Sequence, residues 1–210
     1  MSPGKGLGWA VVNRTPFIAA PSIWPRATLF LLAGVLALML AAGRPSESAG
    51  AGCANAKAQP QSVSLAKMRK AITCLITRKR AADGKPALRS DPALRTIAKQ
   101  HNDYMLANEC SQHDCPGEPT TEQRFAASGY HAGATSYATG ENIGYATTPA
   151  AMMRWWMNSP GHRKNILGTD EPFEDIGVAV GWGCPDDPEI GPCDDALFAT
   201  YTTDFGWRNP

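Results

Sequence analysis

The chain has 210 residues, of which 43% are hydrophobic, and a formal net charge of +1. This length and apolar content suffice for one well-buried core, so we expect a single domain with a tail. The balanced charge, with no cluster of Lys and Arg beyond residues 78–80, gives no reason to expect nucleic acid or an anionic surface as a partner.

The N-terminal segment has the pattern of an export signal. Lys5, Arg14 and Arg26 precede an uncharged apolar run from Ala27 to Gly43, and small residues follow that run. We predict a signal peptide over residues 1–43. A retained signal anchor stays open as the alternative, because the run is at the lower limit for a membrane span. Either form predicts an extracellular or cell-surface protein whose membrane contact is made only through this segment.

Residues 44–62 carry almost no large apolar side chain and cannot bury a face, so we predict a flexible spacer there and a folded domain over 63–210. Helical spacing of apolar residues predicts a first helix over 65–81. Asp91 and Pro92 form a cap and first-turn pair before a second helix that reaches about Asn108. His101 lies on or beside the buried stripe of that helix, where a histidine is more often a packed residue than a ligand.

Three more cap patterns and two alternating segments follow. Thr120 with Gln123 forms a capping box before a short helix, and Thr148–Pro149 and Ser159–Pro160 each open a further helix. Period-two alternation over 176–182 and 197–205 predicts an antiparallel hairpin, with 141–146 as a third strand. Helices first and strands later, with a helical stretch between, predict an α+β fold with helices on both faces of the sheet.

The six cysteines are Cys53, Cys74, Cys110, Cys115, Cys184 and Cys193. In a chain with an export signal they are expected to form disulfides rather than a metal or redox centre. Sequence alone permits about fifteen pairings. Two of the possible pairs, 110 with 115 and 184 with 193, would close short local loops, and they would leave 53 for 74.

Four motifs stand out along the domain: SQH at 111–113, GENIG at 140–144, WMNSPGHRKNIL at 156–167 and EDIGVAVGW at 174–182. Together they resemble the CAP superfamily in its bacterial form, a family that includes cysteine-rich secretory proteins, antigen 5 and plant pathogenesis-related proteins of the first group. The resemblance covers about Leu65 to Trp207. GEN alone is a weak signal, but GEN followed by the long motif WMNSPGHRKNIL is highly specific.

The resemblance implies a three-layer α-β-α sandwich with a small central antiparallel sheet, in one CAP (SCP) domain. It also implies a cleft built from two histidines and two acidic residues. By position, His113 and His162 are the histidines and Glu141 is the first acid. The second acid, which relatives outside bacteria carry three residues after the tryptophan, falls here on Ser159.

Two His and one Glu from separate segments match the ligand types of an open Zn²⁺ site, so His113, Glu141 and His162 are candidate ligands for a divalent metal. The position of His162 in the first turn after Pro160 disfavours its imidazolium form through the helix dipole. A simpler interpretation remains beside this one: the carboxylate and both histidines are hydrogen-bonded groups that organise loops.

Two functions fit such a cleft. The resemblance implies an extracellular module that binds a small apolar ligand, an extracellular protein or a cell-envelope component. The alternative is a metal-assisted hydrolase of peptides or envelope material, with metal on the histidines and Glu141 as base or third ligand. That alternative needs a further acid or base where this chain has Ser159, so the sequence favours binding over catalysis and assigns no catalytic residue.

Overall fold

A computed structural model describes residues 52–186 and 193–210. The predicted export segment 1–43 and the start of the predicted spacer lie outside the described residues. Within the part that is described, no helix is long and apolar enough to cross a membrane.

The described residues form five helices and four strands. In chain order they are α1 (Leu65–Ala82), β1 (Arg89–Ser90), α2 (Pro92–Ala107), α3 (Thr121–Ala127), β2 (Ser136–Ala146), α4 (Pro149–Asn158), α5 (Pro160–Leu167), β3 (Asp175–Trp182) and β4 (Ala199–Asn209). The helix starts agree with the predicted caps. Asp91 accepts from the amides of Ala93 and Leu94, and Thr120 with Gln123 forms the complete capping box.

The four strands form one sheet in the order β1-β3-β4-β2. β3 and β4 pair antiparallel, as predicted, and β2 pairs antiparallel with the whole of β4. β2 begins at Ser136 rather than at 141, and β1 was not predicted. β1 pairs parallel with β3, so the sheet is mixed rather than purely antiparallel. Two residues are too short to show any periodicity, which is why the sequence offers no sign of β1.

The larger core lies between one face of the sheet and the layer formed by α1, α4 and α5. Alternate residues of β3 supply the sheet side, since Ile176, Val178 and Val180 are all buried there. The helices contribute Met68, Ile72, Ile76, Met152, Met153, Trp156, Ile166 and Leu167. This interleaving follows from the period of two in the strand and of about 3.6 in the helices.

The other face of β3 carries small residues because α2 crosses it at backbone distance. A Cβ added to Gly177 would lie 2.1 Å from the carbonyl carbon of Leu94, and one added to Gly181 would lie 2.5 Å from Leu106. Helices therefore cover both faces, and the α+β fold with an α-β-α sandwich is confirmed.

Three disulfides are present: Cys53–Cys74, Cys110–Cys115 and Cys184–Cys193. They are the set with two short local loops, one of the pairings that the sequence left open. The Cys53–Cys74 disulfide holds the N-terminal segment on α1. That segment overlaps the predicted spacer, yet Ala56 accepts a backbone hydrogen bond of 2.8 Å from Ala150 and Pro60 is buried. Residues 53–62 therefore pack on the domain, and the disulfide with this backbone contact is the physical reason.

Candidate functional site

A cavity of about 430 Å³ lies beside β2, the edge strand of the sheet. It is lined by His113, Glu141, Ser159, Gly161, His162, Lys164, Asn165 and Asp170. The four residues that the sequence assigned to a cleft are all in this set. They come from four places: the 110–115 loop, β2, the junction of α4 with α5, and the first turn of α5.

A second cavity of about 340 Å³ shares both histidines with the first. Its wall is more apolar, with Ile143, Tyr145 and Trp155. Adjacent residues of a helix point to different sides, so only one of the two tryptophans is buried. Trp155 is 54% exposed, whereas Trp156 is fully buried and donates from its indole to the carbonyl of Ile143 at 2.9 Å. The cleft thus has a polar and an apolar chamber that meet at the histidines.

Glu141 is 7% exposed, and both of its carboxylate oxygens are engaged. Oε1 is 2.8 Å from Nδ1 of His113, and Oε2 accepts from Arg124 at 2.9 Å. Burial opposes ionisation of Glu141, but the hydrogen bond from His113 and the charges of His101 and Arg124 outweigh it, so the pKa of Glu141 is lowered. The carboxylate is held charged, and it holds His113 by one ring nitrogen.

Behind Glu141 lies a buried network that sequence analysis missed except for His101. His101 is fully buried, with Nδ1 2.7 Å from Glu118 and Nε2 3.7 Å from Glu141. Arg124 joins the two acids and also donates to the carbonyl of His113. His101 therefore does not line the cleft. It supports the carboxylate that does, and its place on the buried stripe was the available signal.

Asp204 faces Glu141 across the β2–β4 pairing. It is 1% exposed, and burial together with the charge of Glu141 and a hydrogen bond to it raises the pKa of Asp204 well above its ordinary value. Asp204 is therefore the protonated partner of the pair. An acid in the middle of a buried strand was a signal that the sequence offered.

His162 is held by two asparagines. Asn142 donates to the carbonyl of His162 at 3.1 Å, and Asn165 donates to Asn142 at 2.9 Å and to the carbonyl of Glu141 at 3.2 Å. Burial and the nearby His113 lower the pKa of His162, so its ring is neutral. The sequence predicted a neutral ring from the helix dipole. The lowered pKa of His162 agrees with that prediction, although burial rather than the helix dipole is its largest cause.

The model of the CAP family, described as the cysteine-rich secretory protein family, matches residues 73–189. This is more than half of the chain. The protein belongs to the CAP family. Its fold agrees with that of an outer surface protein from Borrelia burgdorferi at 20% identity and a TM-score of 0.54, over 71% of this chain and 99% of that chain. A likeness at this identity shows the fold alone.

Two further solved structures are similar at lower TM-scores. One is an extracellular protein containing a SCP domain from Bacillus anthracis, with 26% identity, a TM-score of 0.49 and coverage of 68% of this chain and 43% of that one. The other is a cysteine-rich secretory protein from Staphylococcus aureus, with 19% identity, a TM-score of 0.44 and coverage of 69% and 40%. No curated protein matches the chain.

In this CAP domain Ser159, the residue that the sequence assigned to the place of the second acid, lines the cavity. It ends α4 and precedes Pro160 at the start of α5, but its side chain makes no capping hydrogen bond. The other acid on the cavity wall, Asp170, pairs with Lys164 at 2.8 Å. Neither residue therefore supplies a second free carboxylate beside the histidines.

Each histidine of the cleft keeps one ring nitrogen that could bind a metal, but the three predicted ligands do not come close enough to form one site. His113 uses Nδ1 for Glu141 and keeps Nε2, and Nδ1 of His162 is buried without a hydrogen-bond partner among the described residues. The ligand atoms of His113, Glu141 and His162 do not all lie within 4.8 Å of one another, a spacing that His101, Cys115 and Glu118 do meet. The group of His101, Cys115 and Glu118 could hold a metal, but Cys115 is in a disulfide with Cys110.

Proposed function

We propose that this protein is an exported CAP domain that binds a small apolar ligand, or an extracellular protein or cell-envelope component, in the two-chambered cleft. A divalent metal, Zn²⁺ in the first instance, would be held by His113 and His162. When bound, it would act as a Lewis acid that coordinates a polar group of the ligand. Three disulfides and the predicted export segment support a location outside the cell or on its surface.

The observation that carries this proposal is the engagement of Glu141. Both carboxylate oxygens are used, one to orient His113 and the other to neutralise Arg124. This is the carboxylate–histidine arrangement that fixes the ring of a metal ligand. A hydrolase would need a free base next to the metal, and the cavity offers none among its described acids, so the hydrolase alternative is not favoured.

The apolar chamber indicates the class of ligand. Ile143, Tyr145 and Trp155 line it, and the exposed indole of Trp155 lies with its ring centroid 5.0 Å from that of His162. Apolar walls with a few polar groups at one end are typical of sites for small, mostly apolar molecules. A side chain of a partner protein with the same character would fit equally.

Calorimetric titration with Zn²⁺ tests the metal. We expect wild type to bind about one ion, His113→Ala and His162→Ala to lose the binding heat, and Glu141→Gln to weaken affinity by about 10- to 100-fold, because the orienting carboxylate is lost. His131→Ala is the matched control, since His131 stacks on Tyr137 outside the cleft. Equally negligible heats for wild type and all variants would remove the metal from the proposal.

A substrate screen tests binding against catalysis. The metal-loaded protein is incubated with peptide, ester and peptidoglycan substrates, and we expect no turnover above that of the His162→Ala variant. Turnover that disappears in both His162→Ala and Glu141→Gln would overturn the proposed binding role in favour of hydrolysis.

A further inference from the structure

The charges of the domain are segregated between its layers. Residues 52–82 and 143–169, which form the N-terminal segment, α1, α4 and α5, contain ten Lys and Arg and no Asp or Glu. The rest of 52–210 contains six Lys and Arg and eighteen Asp and Glu. These segments of one outer layer therefore carry only basic charges, although the whole chain is almost neutral, and Asp170 just beyond α5 pairs with Lys164.

Most of this charge is at the surface. Arg80 is the buried exception, since it donates to the carbonyls of Pro86, Ile166 and Phe173. The exposed surface of Lys57, Lys67, Lys70 and Arg154 is called the basic face below. Within the described residues, neither Lys67 nor Lys70 forms an ion pair with an acid.

The chain enters the domain on this same face. Lys67, Lys70, Cys74 and Arg78 recur every three or four residues, so they share the stripe of α1 that points away from the core. Cys74 holds Cys53 by a disulfide. The apolar run ends at Gly43, and residues 44–52 between it and Cys53 can span at most about 35 Å.

We propose that the basic face docks on the anionic phospholipid surface of the membrane to which the N-terminal apolar run directs the chain. Lys67 and Lys70 of this face form no ion pair with an acid among the described residues, and the face lies beside the point where the chain enters the domain. Basic residues close to a bilayer are attracted by its negative surface potential over about one Debye length. The cleft lies at the edge of β2 and would stay open to its ligand.

Amine footprinting on vesicles tests the contact. The full chain is added to preformed vesicles of phosphatidylcholine alone or mixed equally with phosphatidylglycerol, and lysines are acylated and quantified by mass spectrometry. We expect labelling of Lys57, Lys67 and Lys70 to fall at least about threefold with phosphatidylglycerol, and the effect to vanish at 1 M salt, where the Debye length is about 3 Å. Lys99 on α2 is the internal control. Equal labelling on both vesicles would overturn the proposal.

Charge reversal separates the face from net charge. Lys67→Glu/Lys70→Glu removes cations from the basic face, and Arg95→Glu/Lys99→Glu makes the same total change on exposed α2 positions. Only the first pair should abolish the phosphatidylglycerol-dependent protection of Lys57. Equal effects of both pairs would show an effect of net charge alone and overturn the proposal.

A soluble polyanion distinguishes the other class of partner. Inorganic polyphosphate at the same concentration of charge, without vesicles, should leave the labelling of the basic face within about twofold of the free protein. Protection by polyphosphate with none from phosphatidylglycerol vesicles would assign the face to an anionic polymer, and the membrane proposal would fail.

Discussion

Glu141 and Asp204 lie side by side on paired strands, and their environments shift their pKa values in opposite directions. Arg124 and His113 keep Glu141 charged, whereas burial and the charge of Glu141 keep Asp204 neutral. Two like charges in a buried pair cannot both ionise cheaply, so one acid becomes the donor and the other the acceptor. The carboxylate that faces the cleft is thus kept in its charged form by His113 on the cleft wall and by Arg124 behind it.

Asp204→Asn should change how stability depends on pH. Folded Asp204 keeps its proton at pH values where the unfolded chain, with an ordinary value near 3.8, has lost it. The unfolded state then binds fewer protons, so this group lowers the free energy of unfolding as pH rises above 3.8 until the folded pKa is passed. Denaturant unfolding from pH 4 to 7 should therefore show that the free energy of unfolding of the variant rises relative to that of wild type, by up to about 1.4 kcal/mol per pH unit.

Asp83→Asn is the control for that experiment, because Asp83 is exposed just after α1. The difference in unfolding free energy between Asp83→Asn and wild type should stay constant across the same pH range. A flat difference for Asp204→Asn as well would mean that Asp204 is ionised in the folded protein.

At the scale of elements, the helical pair α4–α5 covers the open edge of the sheet. The carbonyls of Glu141 and Ile143 in the edge strand β2 accept from the side chains of Asn165 and Trp156. Unpaired backbone groups on an edge strand invite association with another chain unless they are covered. The tryptophan and asparagine of the long motif therefore act on the GEN strand, which explains why the two motifs occur together in one chain.

The contact between α2 and β3 depends on glycine. Gly177→Ala would place a Cβ against the backbone of Leu94 and Arg95, which cannot move as a flexible side chain would. We expect the free energy of unfolding to fall by about 3 kcal/mol or more, at the upper end of the cost of overpacking. Chemical denaturation measures the loss.

Gly161→Ala is the matched control, since nothing lies within 4 Å of its added Cβ and it is in the first turn of α5. Alanine is the better helix former, so this variant should gain up to about 1 kcal/mol. Similar stabilities for the two variants would contradict the close approach of α2 to the sheet.

For the whole molecule, the Cys53–Cys74 disulfide decides where the domain begins. It brings residues 53–62 onto α1, and the backbone bond from Ala150 to Ala56 extends that contact to α4. Cys53→Ser/Cys74→Ser should cost about 2–4 kcal/mol of unfolding free energy. Hydrogen exchange should also show lost protection of the Ala150 amide.

The amide of Ala151 is the internal control for the exchange experiment, because it donates to Thr148 rather than to the N-terminal segment. Both amides losing protection together would indicate that α4 itself has loosened. Unchanged protection of Ala150 would show that the segment stays in place without its disulfide.

The sequence by itself determined the features that are local in the chain. Caps such as Asp91 and Thr120 predicted the helix starts, and the WMNSPGHRKNIL motif placed His162 in a first turn beside Ser159. Alternation located β3 and β4, although β4 runs from Ala199 to Asn209 rather than over 197–205. These follow from hydrogen bonds and periodicities that act over a few residues.

Only the tertiary structure decided what depends on pairing between distant segments. It placed Asp204 against Glu141, joined Arg124 to the back of the cleft, and used both oxygens of Glu141. It also showed that the segments forming one outer layer carry ten Lys and Arg and no acid, an arrangement that the net charge of the whole chain does not reveal. Whether a carboxylate is a free ligand or an engaged support depends on neighbours that lie many residues away in the chain.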